Sequence, residues 1–218
     1  MSLSLPDAHF KLIIDLSIDT AEEQGSDRGY FARVSALSGQ LFQTGNIGTV
    51  DQSAFAFALK AGYTFPVQVE PRVGVDFALA TGDDGTDPTE SKTFISLFPS
   101  PHGKFGQADY QDWSNMLNLG LKFSVKPAEQ IKAKAGFNFF WLNEEADAWY
   151  QPYGSGFGLP VGTSKTIGNE LDLGFYYDYN TAIGFSAGYS HFFPGEHLDD
   201  NGLSDASDWI FVGTQLKF

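Results

Sequence analysis

The chain has 218 residues, a formal net charge of −14 and no Cys. The missing Cys excludes a disulfide framework, a zinc–thiolate site and a Cys nucleophile, and so acidic a chain is a poor match for nucleic acid, whose phosphates call for a basic surface. Aromatic residues make up 16% and Gly numbers 24, a mixture of β-formers and turn-formers that favours strands.

At the start, "MSLSLPDA" (1–8) has neither the basic opening nor the apolar run of a secretory signal, so the expectation is that a native leader has been removed. No apolar stretch approaches the ~20 residues of a membrane-spanning helix, but a closed β-barrel crosses a membrane with an apolar residue at only every second position. The pattern predicts nine strands, at about 9–19, 29–42, 53–66, 67–82, 116–127, 130–143, 167–179, 181–193 and 208–218. In "SAFAFALKAGYTF" (53–65), Phe55, Phe57, Leu59, Ala61, Tyr63 and Phe65 oppose Ala56, Ala58, Lys60, Gly62 and Thr64. "MLNLGLKFSVK" (116–126) sets Leu117, Leu119, Leu121, Phe123 and Val125 against Asn118, Gly120, Lys122, Ser124 and Lys126. "QIKAKAGFNFFW" (130–141) and "ELDLGFYYDY" (170–179) repeat the alternation.

The connections differ in length. "FPVQ" (65–68), "KPAEQ" (126–130) and "YNTA" (179–182) are tight, whereas 82–115, 144–165 and 195–207 are long. Short turns at one end and long loops at the other describe an outer-membrane barrel with periplasmic turns and extracellular loops. A soluble sandwich alternates too, but its second face is rarely Gly, Lys, Asp and Asn on strand after strand. The expectation is a single all-β unit over 1–218, an antiparallel transmembrane β-barrel of about 8–10 strands in this chain. The lipid bilayer is then a partner, the bacterial outer membrane the location, and no cofactor is called for. The last strand, "DWIFVGTQLKF" (208–218), ends on an aromatic residue that a barrel would turn toward lipid.

"PRVGVDFALATGDD" (71–84), "FISLFPSPHGKFGQADYQDWSN" (94–115), "GFNFFWLNEEADAWY" (136–150), "GNELDL" (168–173) and "AGYSHFFPGE" (187–196) follow one another in an order that resembles the C-terminal half of the alginate export porin family. The resemblance implies an outer-membrane barrel that passes an anionic solute or polysaccharide through a basic lumen. A terminal aromatic also resembles the signal read by outer-membrane assembly machinery, which gives Phe218 that role. Family members are about twice as long, with about eighteen strands, so this chain supplies about half of such a wall. It is then part of a larger barrel, closes alone with eight or ten strands, or completes the wall by self-association.

The residues carry their own argument about the lumen. On the assigned faces, Lys11, Arg33, Lys60, Arg72, Lys122, Lys126, Lys132, Lys134 and Lys217 point inward, most of them toward the tight-turn end, while the acids gather at the long-loop end. A basic wall in low-dielectric surroundings concentrates anions and discourages cations. The alternative is a filled interior, in which Glu70, Asp76, Glu170, Asp172 and Asp178 neutralise the lysines and the barrel acts structurally or adhesively through its acidic loops. "HGKFG" (102–106) offers His102 and Lys104 as loop contacts for a polysaccharide. In "GDDGTDPTE" (82–90), Asp83, Asp84 and Asp87 could hold Ca²⁺, but the spacing departs from the EF-hand and no helix flanks it, which favours a solvated acidic turn. The four His are too dispersed for a metal site. Glu144 and Glu145 would point oppositely on a strand, and no Ser/His/Asp constellation has local support, so an enzyme is not expected.

Overall fold

A computed structural model describes residues 9–13, 33–96, 103–152 and 164–217. Its strands are β1 (His9–Ile13), β2 (Arg33–Ile47), β3 (Val50–Thr64), β4 (Arg72–Ala80), β5 (Glu90–Ser91), β6 (Met116–Ala128), β7 (Ile131–Trp141), β8 (Thr166–Asp178), β9 (Ile183–Pro194) and β10 (Ser207–Leu216). They form one sheet in the order β1-β2-β3-β4-β6-β7-β8-β9-β10, every neighbour antiparallel, with the two-residue β5 lying parallel to β3 off this path. The nine strands of the path are those the alternation predicts. A five-residue helix, α1 (Glu196–Asp200), sits in the β9–β10 link, where no helix was expected.

Two things differ from the expected barrel. Among the described residues β1 and β10 do not pair, so the sheet is open and not closed on itself. With nine strands alternating in direction, β1 and β10 run the same way, and direct pairing between them would be parallel. In addition, β2 and β3 are joined at the long-loop end by a two-residue turn at Gly48–Thr49, Ile47 lying opposite Val50. Gly48 takes φ +66, a conformation that suits Gly in such a hairpin.

The register sorts the side chains into rows. Lys60, Asp76, Gly120, Asn138 and Glu170 lie side by side on β3, β4, β6, β7 and β8; one residue along, Ala61, Val75, Leu121, Phe137 and Leu171 form the matching row of the opposite face. The apolar row is the one left uncovered. Val73, Val75, Leu121, Phe123, Leu173 and Phe175 are exposed, and on β10 Ile210 and Val212 are 73% and 84% exposed. Aromatic pairs flank this apolar band. Tyr63–Phe65 (4.9 Å) and Tyr177–Tyr179 (6.4 Å) lie near the tight turns, and Phe137–Phe139 (5.0 Å) and Phe139–Trp141 (5.9 Å) toward the long loops.

The buried core sits on the other, polar face. Ala56, Ala78, Ala80, Met116, Phe140 and Phe192 are buried there under Phe94, Phe105 and Trp149 from the links. Small inward side chains leave room for a chain segment to lie on the sheet, which is how a face of Ala, Asn and Gly acquires an apolar core. The β4–β6 link lies along β2 and β3: Gln43 exchanges two hydrogen bonds with the backbone of Ile95 (2.6 and 2.9 Å), and Gln52 donates to Thr93 O (2.7 Å). Phe140, 1% exposed and 6.5 Å from the Phe192 ring, is a test of that core. Phe140→Ala should lower stability by about 3–5 kcal/mol in a reversible urea-unfolding measurement in lipid, with a change near zero contradicting inward packing.

Candidate functional site

The inward face contains a cavity of about 490 Å³ lined by Arg72, Asp76, Lys122, Lys132, Lys134, Asp172 and Tyr176, with Gly103 and Gln107 from the β4–β6 link. Five strands supply it. Arg72 comes from β4, Lys122 from β6, Lys132 and Lys134 from β7, Asp172 and Tyr176 from β8, and Phe211 from β10, each at an inward position set by the ladder.

Four cations thus face two carboxylates, and both acids already have partners. Asp76 lies 3.5 Å from Lys60, outside the cavity lining. Asp172 accepts from Ser190 Oγ (2.6 Å), Asn138 Nδ2 (3.0 Å) and the Gln107 N–H (3.3 Å). Lys122 reaches this network only through Asn138, donating to its Oδ1 at 2.7 Å. Arg72 donates to hydroxyls, Thr64 Oγ1 at 3.1 Å and Ser35 Oγ, and not to a carboxylate. The Lys134 ammonium stands 4.4 Å from the centre of the Tyr176 ring, a cation–π contact that holds it without neutralising it. Lys132 makes no hydrogen bond or ion pair among the described residues. The cavity wall therefore carries surplus positive charge, and hydroxyl and ring partners orient it.

Of the predicted basic wall, Lys60, Arg72, Lys122, Lys132 and Lys134 occupy this region of the inward face. Lys126 and Lys217 also lie inward but at the tight-turn rim, where Glu70 (2.7 Å) and Asp178 (3.7 Å) take up their charge. Arg33 falls opposite Thr64 in the inward register, its side chain lying outside the described residues. Lys11 is a correction: the β1–β2 register sets it opposite Phe42, a member of the outward row, so its backbone position is out of phase with the inward set. Lys104 lines a second, smaller inward cavity of about 120 Å³ with Lys60, Asp76, Asp112 and Trp113. His102 and Phe218 lie outside the described residues.

The acidic loop folds into local turns. Asp83 accepts from the Gly85 N–H (2.7 Å) and the Lys92 N–H (3.2 Å), Asp84 from Thr86 and from the Lys92 ammonium (2.7 Å), and Asp87 from Thr89. The Lys92 ammonium and the Thr86 hydroxyl hold the Asp84 carboxyl well below the usual carboxylate range, and the Thr89 hydroxyl and N–H lower Asp87. Their oxygens are spent on local turns and one lysine, and no group of three or more acidic, His or Cys residues among those described could hold a metal ion.

Sequence reasoning missed Asp147, which joins two long links. It accepts from the Asp83 N–H (2.9 Å), Thr93 Oγ1 (2.5 Å) and the Tyr150 phenol (2.7 Å). Burial and this carboxylate push the Tyr150 pKa up. Asn115, also unmarked, ties the same links by donating to Glu144 O and Ala148 O, both at 2.9 Å. Nothing in a lone Asp within an acidic loop signals such a role. Titrating Ca²⁺ should leave the unfolding temperature unchanged in a thermal scan, whereas Asp147→Asn should lower it; a Ca²⁺-dependent rise would contradict the turn assignment.

The sequence model of the family described as "Alginate export" matches residues 37–211, from the middle of β2 to the middle of β10. No curated protein matches the chain. The matched span includes every residue that lines the cavity, and the chain belongs to the alginate export family.

Proposed function

We propose that this chain forms wall of an outer-membrane β-barrel and passes anionic solutes, an acidic polysaccharide such as alginate among them, along its basic inward face. Family membership supports an outer-membrane export role and transport without catalysis. The observation that carries the finer reading is the cavity wall, where Arg72, Lys132 and Lys134 lack carboxylate partners while both lining acids are engaged elsewhere. Polarity supports the membrane placement: the exposed rows are Phe, Leu and Val flanked by aromatic residues, and the charged rows face the links.

The backbone supports closure in the membrane. An open edge within hydrocarbon leaves N–H and C=O groups unsatisfied, so β1 and β10 each need a neighbour. Because both run the same way, an all-antiparallel wall needs an odd number of further strands between them. A second copy would add nine strands and meet the first through parallel seams, so self-association leaves the pairing pattern mixed.

A filled, structural barrel is the second reading, and the ion pairs Lys60–Asp76, Lys126–Glu70 and Lys217–Asp178 favour it. Planar-bilayer recordings separate the two. The transport reading predicts conductance with anion preference at low salt, and the combined substitution Arg72→Gln, Lys132→Gln, Lys134→Gln should bring the anion/cation permeability ratio to about one. Lys126→Gln, whose charge Glu70 already matches, should change it little. Unchanged selectivity in the combined variant would remove the basic-wall mechanism, and absence of any conductance would leave the filled barrel.

A further inference from the structure

Residues 103–113 of the β4–β6 link cross the inward face from β4 to β10. Trp113 Nε1 donates to Leu79 O on β4 (3.1 Å), the Tyr110 ring lies 4.9 Å from Phe192 on β9, and its hydroxyl is 2.8 Å from Ser207 Oγ on β10. Midway, Gly106 takes φ +88 and turns two successive N–H groups toward the sheet. Those of Gln107 (2.6 Å) and Ala108 (3.0 Å) both donate to Oε1 of Glu170, on β8. Consecutive backbone N–H groups so arranged form a cradle for an acceptor oxygen, and here the group held is a side-chain carboxyl of the same protein. The fit is close: a Cβ on residue 106 would lie 2.5 Å from each Glu170 carboxylate oxygen.

Glu170 is fully buried, its Oε2 has no hydrogen-bond partner among the described residues, and it makes no salt bridge with a Lys or Arg there. The crossing segment packs directly on this carboxyl. Lifting the segment breaks both of these bonds together with the Gln107–Asp172, Tyr110–Ser207 and Trp113–Leu79 contacts, while rehydrating a buried acid offsets part of that cost. The docked backbone also bends through positive φ at a non-Gly residue, Asp109 (φ 58). Gly103 and Gln107 of the same segment line the basic cavity, so its position sets how widely that cavity opens.

We propose that Glu170 is a latch: its carboxylate, held in the backbone cradle at Gly106–Ala108, fastens the 103–113 segment across the inner wall and keeps the basic cavity partly closed. The gating half of this proposal rests on the transport reading above, and the latching half does not. Hydrogen exchange of the full chain in lipid bilayers, followed by mass spectrometry of the peptide spanning 103–113, tests the latch. Glu170→Ala should speed exchange of the Gln107 and Ala108 amides about tenfold or more while β6 and β7 stay protected, and Glu170→Gln, which keeps one acceptor oxygen, should restore part of that protection. Gly106→Ala keeps the carboxylate but crowds it and should also release the segment, which covers the case of a Glu170→Ala chain that fails to fold. Wild-type exchange rates in the segment for a folded Glu170→Ala or Gly106→Ala chain would overturn the latch. Where the wild-type protein conducts, the released variants should conduct more, and a loosened segment with unchanged conductance would overturn gating. A wild-type protein that does not conduct at all would overturn gating and the transport reading together, leaving the latch to stand or fall on exchange.

Discussion

A β-strand offers its two faces to two surroundings, and in this sheet the polarity of those faces is the constraint from which the rest follows. Ala61, Val75, Leu121, Phe137 and Leu171 share one surface while Lys60, Asp76, Gly120, Asn138 and Glu170 share the other. A water-soluble domain would cover the first row with a second layer. Here the links instead lie over the charged row, and the apolar row is bare. Hydrocarbon is the environment that makes this arrangement stable, because it accepts Leu and Phe and rejects every charge the inward face carries.

With the links lying over the charged side, its electrostatics acquire a direction. Carboxylates at the tight-turn rim pair with Lys126 and Lys217, so the unpaired positive charge lies just inside that rim, around Arg72, Lys132 and Lys134. The acids that give the chain its net charge of −14 are concentrated in the links, where Asp84 and Asp87 are consumed by local turns and Asp147 fastens one link to another. The net charge therefore describes the outer rim and says little about the surface an entering solute would meet. The segment that carries Gly106 is the point of contact between these regions, since it lies across the wall and lines the same cavity.

Much of the sheet was legible because period-two alternation is a local property. The strand "MLNLGLKFSVK" shows both of its faces without reference to any neighbour, and the inward assignment of Lys60, Arg72, Lys122, Lys132 and Lys134 came with it. Position Lys11 escaped because alternation fixes phase only within a strand; whether β1 is in step with β2 depends on the intervening register, which set Lys11 opposite Phe42. Closure escaped for a related reason, since counting strands does not say what lies beside the first and the last. Long-range hydrogen bonds were the least legible. Glu170 reads as one more inward acid in "GNELDL", and only the fold brings the N–H groups of Gln107 and Ala108, more than sixty residues earlier, onto its oxygen.

The central claim is that lipid, and not protein or water, covers the outward rows. A chain without native Cys lends itself to a direct measurement: single Cys substitutions at each position from 117 to 125 on β6, spin-labelled and reconstituted into liposomes, with accessibility to oxygen compared against accessibility to a polar nickel complex. The account predicts a strict alternation, with positions 117, 119, 121, 123 and 125 favouring oxygen and the intervening positions favouring the nickel complex or neither reagent. Odd positions open to the nickel complex, or a polypeptide that remains a compact dissolved monomer without detergent or lipid, would contradict it.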